Sequence, residues 1–145
     1  MRLWHKDLIP FLPKKQLTGQ WRECCLIAKN IKEKGTPNHI LVNKVTLFPE
    51  EHFGRYCGKI YTAMLHSGCA CRKQAVTRHL SDKALKAFDN PLSVSDDELF
   101  YTWHNDRYFW QCYYNLQEKY DCDGISVKDW LEIFNATNNS LKHKT

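Results

Sequence analysis

The order of apolar and polar positions divides the chain into helices punctuated by proline and glycine. Residues 1–12 read as an extended segment closed by Pro10 and Pro13. From Lys14 to Lys34, apolar residues recur every three or four positions, at Leu17, Trp21, Cys24, Ala28 and Ile31. That spacing predicts an amphipathic helix, and Gly35-Thr36-Pro37 supplies its stop. Gln20, Glu23 and Ile27 form an adjacent stripe, so Glu23 falls at the edge of the buried face, half-sheltered and still reachable. Residues 38–48 are apolar enough to pass for a strand. Pro37 and Pro49 bracket them and no partner strand presents itself, so a buried connector is expected. Pro49, Glu50 and Glu51 suit the first turn of a helix. The helix expected over 50–67 carries Phe53, Tyr56, Cys57, Ile60, Tyr61 and Met64 in register and stops at Gly68. Gly54 and Gly58, one turn apart, weaken it but let another backbone approach closely.

A third helix is expected over 72–88, ended by Asn90-Pro91. The capping box Ser95-Asp-Asp-Glu98 predicts a fourth, running to Lys119 with an interruption near His104. Asp121-Cys-Asp-Gly124 is a turn that lacks the further ligands of a calcium loop. Ser126 caps a last short helix bearing Val127, Trp130, Leu131 and Phe134. The fold class that follows is all-α, a compact single-domain bundle over residues 1–137. Residues 138–145 are expected to form a polar flexible tail.

Length and composition agree with that picture. A chain of 145 residues suits one domain with a real core. No apolar run reaches the ~18–20 residues that span a bilayer. Pro10 and Pro13 interrupt the segment behind Arg2 and Lys6, where a signal peptide needs its apolar stretch. A monomeric cytoplasmic protein with no membrane partner is expected. The net charge of +5 is unevenly spread: residues 1–90 hold 16 Lys+Arg against 7 Asp+Glu, whereas residues 91–145 hold 5 against 9. A basic N-terminal part is the footprint of a phosphate-backbone binder, although a solvated basic surface would look the same. The seven cysteines are odd in number and include the adjacent Cys24-Cys25, which suits reduced thiols better than a disulfide framework. Cys69-Ala-Cys71 is half of a metal pair without a second half at suitable spacing.

The chain has no Gly-rich phosphate loop, no His-Glu-x-x-His and no nucleophile elbow. What remains is a terminal constellation. An α-amino group has a reference pKa of about 7.7–8.0 and is nucleophilic near neutrality. Its attack on a sugar C1′ would displace the base and leave an imine, which acidifies C2′ and permits β-elimination. Such chemistry needs a carboxylate for the cationic sugar and for proton movement, and basic side chains for the phosphates. Met1, Glu23, Arg2 and Arg22 are of the right types. Taken on these residues alone, an ordinary surface helix glutamate is the commoner reading of Glu23.

Met1-Arg2-Leu3-Trp4-His5 and Gln16-Leu17-Thr18-Gly19-Gln20-Trp21-Arg22-Glu23-Cys24 together resemble the N-terminal signature of the pyrimidine-dimer DNA glycosylases, the family of phage endonuclease V. The likeness is to the branch that begins Met-Arg-Leu-Trp-His. His104 and the Leu116-x-Glu-Lys119 stretch resemble the family's late segment. The resemblance implies an all-α repair glycosylase with an associated abasic-site lyase activity, acting on duplex DNA with pyrimidine dimers or another damaged or modified base. It implies no metal and no organic cofactor. It makes Met1 the nucleophile and Glu23 the catalytic carboxylate. Arg2, His5, Gln20 and Arg22 become DNA contacts, with Lys14, Lys15 and Lys29 added for the backbone. The bulky Arg2 should prevent removal of Met1, where the phage enzyme exposes a threonine. Leu26 stands where the family has a second helix arginine, and Trp130 stands between Asp129 and Glu132 rather than in a basic–aromatic segment. Two alternatives remain open: a non-catalytic DNA-binding relative of the same fold, and a cysteine-based metal or redox regulator.

Overall fold

The computed structural model describes the backbone of residues 1–144 and the side chains of residues 1–138. Among the described residues there are helices and turns and no strand. The helices are α1 (Lys14–Lys34), α2 (Glu50–His66), α3 (Gln74–Thr77), α4 (Asp82–Phe88), α5 (Asp106–Asp121) and α6 (Val127–Lys144). None is long and apolar enough to cross a membrane. α1 has the bounds its periodicity predicts. It ends at Gly35, whose φ of 74° favours glycine and whose N–H returns to the Ile31 carbonyl at 2.9 Å.

α2 is the central helix, packed against both α1 and α4. Its two glycines do what their spacing suggests. A Cβ at Gly54 would collide with the carbonyl oxygen of Ala84, and one at Gly58 with that of Phe88. The absence of side chains lets α4 lie directly on α2. Arg55, between them, donates Nη1 to the Phe88 carbonyl at 2.6 Å and the Ala87 carbonyl at 3.3 Å. These bonds satisfy buried carbonyls left open in the last turn of α4.

Five local expectations change. The segment after His5 winds into a 3-10 helix, Lys6–Phe11, rather than staying extended. His5 caps it through Nδ1, which accepts the Asp7 N–H at 3.1 Å, while Leu8 and Ile9 turn into the core. The connector 38–48 buries Val42 and Val45, but Ile40 is 85% exposed. The helix expected over 72–88 splits at Ser81, whose hydroxyl accepts the Ala84 N–H at 3.3 Å and starts α4 anew. The Ser95 capping bond to the Glu98 N–H forms at 3.2 Å, yet no helix follows. The chain instead reverses at Phe100 (φ 50°), and α5 begins only after Asn105, which caps the Tyr108 N–H at 3.0 Å. A positive φ at a bulky residue costs about 1–2 kcal/mol. It is held here by burial of the Phe100 ring among Phe48, Trp103 and His104, and by a 3.0 Å bond from the Phe100 N–H to His52 Nδ1. Ser126 caps the last helix as expected, its Oγ accepting the Asp129 N–H at 3.1 Å, but α6 is 18 residues long rather than short. The tail expected over 138–145 falls within and beyond α6, where side chains after Asn138, and all of Thr145, lie outside the described residues.

Candidate active site

The first six residues pass between α1, α2 and α5, and side chains hold their peptides one after another. On α1, Gln20 and Glu23 are three residues apart and share a face. Glu23 Oε2 accepts the Arg2 N–H at 2.7 Å. Gln20 Oε1 accepts the Trp4 N–H at 2.7 Å, and its Nε2 donates to the Arg2 carbonyl at 2.8 Å. From α2, the Tyr56 hydroxyl donates to the Trp4 carbonyl at 2.6 Å and lies 3.1 Å from Gln20 Oε1. From α5, the Tyr108 hydroxyl donates to the Leu3 carbonyl at 2.6 Å. Burial pushes both phenols well above their usual pKa, so they remain donors.

A second latch ties the segment to the turn before α5. His5 Nε2 donates to the His104 carbonyl at 3.0 Å, and the Lys6 N–H donates to His104 Nδ1 at 3.0 Å. Because Nδ1 accepts, the neutral His104 ring carries its proton on Nε2, which is buried without a hydrogen-bond partner. Burial, with His5 and Lys6 beside it, pushes the His104 pKa down to about 2. Burial also lowers that of His5, with Asp7 partly offsetting it. Lys6 is buried too and sends Nζ to the carbonyls of Leu99 at 2.8 Å and Asp97 at 3.2 Å.

The result is a terminus with a fixed register. Met1 emerges half-buried at a cleft of about 390 Å³. One wall is α1, contributing Lys15, Gln16, Gln20 and Glu23, and the other is Asn115 and Lys119 of α5. Glu23 is the single acid in this lining, facing the cations Arg2, Lys15 and Lys119. A second lobe of about 350 Å³ shares Arg2, Leu41 and Asn115 and adds Tyr108, Gln111 and Tyr114. The Arg2 guanidinium lies between the lobes, 5.7 Å above the Trp4 ring.

Of the residues singled out in the sequence, Met1, Arg2, Lys15, Gln20 and Glu23 come together at this cleft. Arg22 and Lys29 are exposed on α1 outside its lining, and Lys14 is exposed at the start of that helix. His5 and Gln20 are 3% and 2% exposed, and their polar atoms face the protein's own backbone rather than solvent. Sequence reasoning did not single out Tyr56, Tyr108, Asn115 or Lys6. Asn115 and Lys119 are four apart, which would have placed both on one face of α5. The two tyrosines carry no local signal, because their partners are backbone carbonyls more than fifty residues away.

A family model of pyrimidine dimer DNA glycosylases matches residues 1–76, just over half of the 145 residues. The chain belongs to this family. No curated protein and no solved structure matches it. For a pyrimidine dimer DNA glycosylase, the substrate is DNA and the work is base removal in repair. The cleft sets the cations Arg2, Lys15 and Lys119 around one carboxylate. The cysteines are differently placed. Cys24, Cys57 and Cys112 are buried, and burial beside Cys24 raises the Cys25 thiol to about 11. Burial raises the Cys57 and Cys112 thiols as well, whereas metal binding and redox exchange use the thiolate. Among the described residues, no three His, Cys, Asp or Glu side chains gather as a ligand set.

Proposed function

We propose that this glycosylase is also an abasic-site lyase and that the Met1 amine is its nucleophile. The amine attacks C1′ of the damaged nucleotide. The C1′–N glycosidic bond breaks, and the base leaves with the bonding electrons and takes up a proton. One amine proton is lost, and as the C1′–O4′ bond opens O4′ takes a proton from solvent and becomes a hydroxyl, which leaves a protonated imine between Met1 and the sugar. Glu23 balances the cationic sugar and removes a C2′ proton. The electrons move to form the C2′–C3′ double bond, and the 3′ phosphate departs with its oxygen. Arg2, Lys15 and Lys119 hold the flanking phosphates. Gln20, Tyr56, Tyr108 and the His5–His104 latch act at one remove, by fixing where the terminus stands.

The observation that carries this reading is the 2.7 Å bond from the Arg2 amide to Glu23, which ties the terminal segment to the single carboxylate of the cleft. Borohydride trapping on duplex DNA with an abasic site tests it, followed by peptide mapping of the adduct. The adduct is expected on Met1. Acetylating that amine, or extending the chain at its N-terminus, should eliminate trapping without unfolding the domain. An adduct on a lysine, or full trapping with a blocked Met1, overturns the assignment. Duplex binding with no adduct at all would leave a non-catalytic binder.

A further inference from the structure

Beyond the cleft, a cluster of basic side chains lies where α1 meets the end of α3. On α1, Lys15, Arg22 and Lys29 recur at seven-residue spacing, which places them in one exposed row along the helix. Lys15 lines the cleft, so the row starts at the candidate active site. At its far end the row meets three further groups. Lys32 Nζ donates to the Arg78 carbonyl at 3.2 Å, and Arg78 Nε donates to His79 Nε2 at 3.1 Å. The pKa of His79 is lowered by burial and then by Arg78, Lys32 and Lys29. Glu33 is the one acid acting against them. Three cations gather around a neutral imidazole, with little acid to offset them.

We infer that Lys29, Lys32, Arg78 and His79 form a second phosphate-binding station, which grips the DNA flank some base pairs away from the nucleotide in the cleft. The inference rests on the DNA-binding part of the proposed function and is independent of the imine. Arg78 and His79 fall outside the residues the family model matches. Spacing supports a nucleic-acid backbone over a small anion. Glu23 and Lys32 are nine residues apart on α1, so at about 1.5 Å per residue the station lies roughly 14 Å along the helix from the catalytic carboxylate. At about 3.4 Å per base pair this is a flank of roughly four base pairs. Arg supplies planar bidentate donation to phosphate, and the lysines add mobile charge.

The test uses the full chain and hairpin duplexes with one abasic site, whose flank on a chosen side is either about three or about ten base pairs. Lys32→Gln and Arg78→Gln are both surface changes, made singly and together, with helix content and thermal midpoint as controls for folding. On the long flank the double variant is expected to reduce the slope of log affinity against log salt by roughly two, one for each charge removed. The half-saturating DNA concentration rises accordingly, while the rate at saturation stays the same. On a flank too short to reach the station, wild type and variant should bind alike. Unchanged slopes on the long flank would overturn the inference, as would an equal loss on both flanks. If the wild-type chain shows the flank-dependent slope but traps no imine, the catalytic reading has failed and the station stands.

Discussion

One oxygen of Glu23 is bound to the Arg2 amide, and the carboxylate as a whole is the only negative charge lining the cleft. Glu23→Gln separates these two duties, because the amide oxygen can still accept the Arg2 N–H while the charge is lost. Strand cleavage is expected to fall by roughly 10²–10⁴ while duplex affinity is nearly kept. Full lyase activity in the folded variant would remove Glu23 from the mechanism. Tyr108→Phe makes a different cut. It deletes the donor to the Leu3 carbonyl, and an unsatisfied buried carbonyl costs about 1–3 kcal/mol. The turnover rate at saturating DNA should drop, with a smaller rise in the half-saturating concentration because the phenol also interacts with the Arg2 side chain. A change confined to that concentration would argue against a positioning role. Glu23 was legible in the sequence because its position on an amphipathic helix can be counted. The tyrosine and histidine anchors were not, since they act through backbone atoms brought close only by the fold. For the same reason the sequence did not show that His5 and Gln20, which the resemblance offered as DNA contacts, are turned inward by the fold.

At the level of the helices, the pairing of α2 with α4 depends on what two side chains lack. Gly54→Ala or Gly58→Ala would force a methyl group onto a backbone carbonyl, which cannot rotate away as a side chain can. Each should destabilise the fold by about 3 kcal/mol or more, at or above the upper end of ordinary overpacking, despite alanine's better helix propensity. A lower urea midpoint at unchanged denaturant slope would show it. A neutral result would mean that α4 can slide away at little cost. Glycine spacing announced this contact, and the 3.6-residue periodicity announced α1 and α2. Where the sequence misled, a local side-chain bond competed with the pattern. Ser81 restarts a helix that periodicity alone would run through, and the Ser95 capping bond forms without a helix to cap. In the second case the reversal at Phe100 is decided by distant rings and by His52, contacts that no window of neighbouring residues contains.

The whole molecule should carry a pH dependence that arises from the same latch. In the folded state His104 is neutral, with its pKa pushed down to about 2, whereas in the unfolded chain it titrates near 6.5. Protonation would place a second donor at Nδ1 against the Lys6 N–H, which already points there. Below about pH 6.5 the unfolded chain therefore binds one more proton than the folded one at this residue. The corresponding stability is fully present above that pH and is lost as pH falls. The loss is about 1.4 kcal/mol per unit, or roughly 2 kcal/mol by pH 5. His5 and His52, both lowered chiefly by burial, act in the same direction. Urea denaturation between pH 7.5 and 5 measures the slope. His104→Asn supplies the comparison, because the asparagine oxygen can accept the Lys6 N–H without titrating. The variant should be less stable at neutral pH, where it loses the ring's packing, yet show a shallower decline in acid. A decline as steep as the wild type's would show that acid opens the molecule elsewhere and that the latch does not govern it.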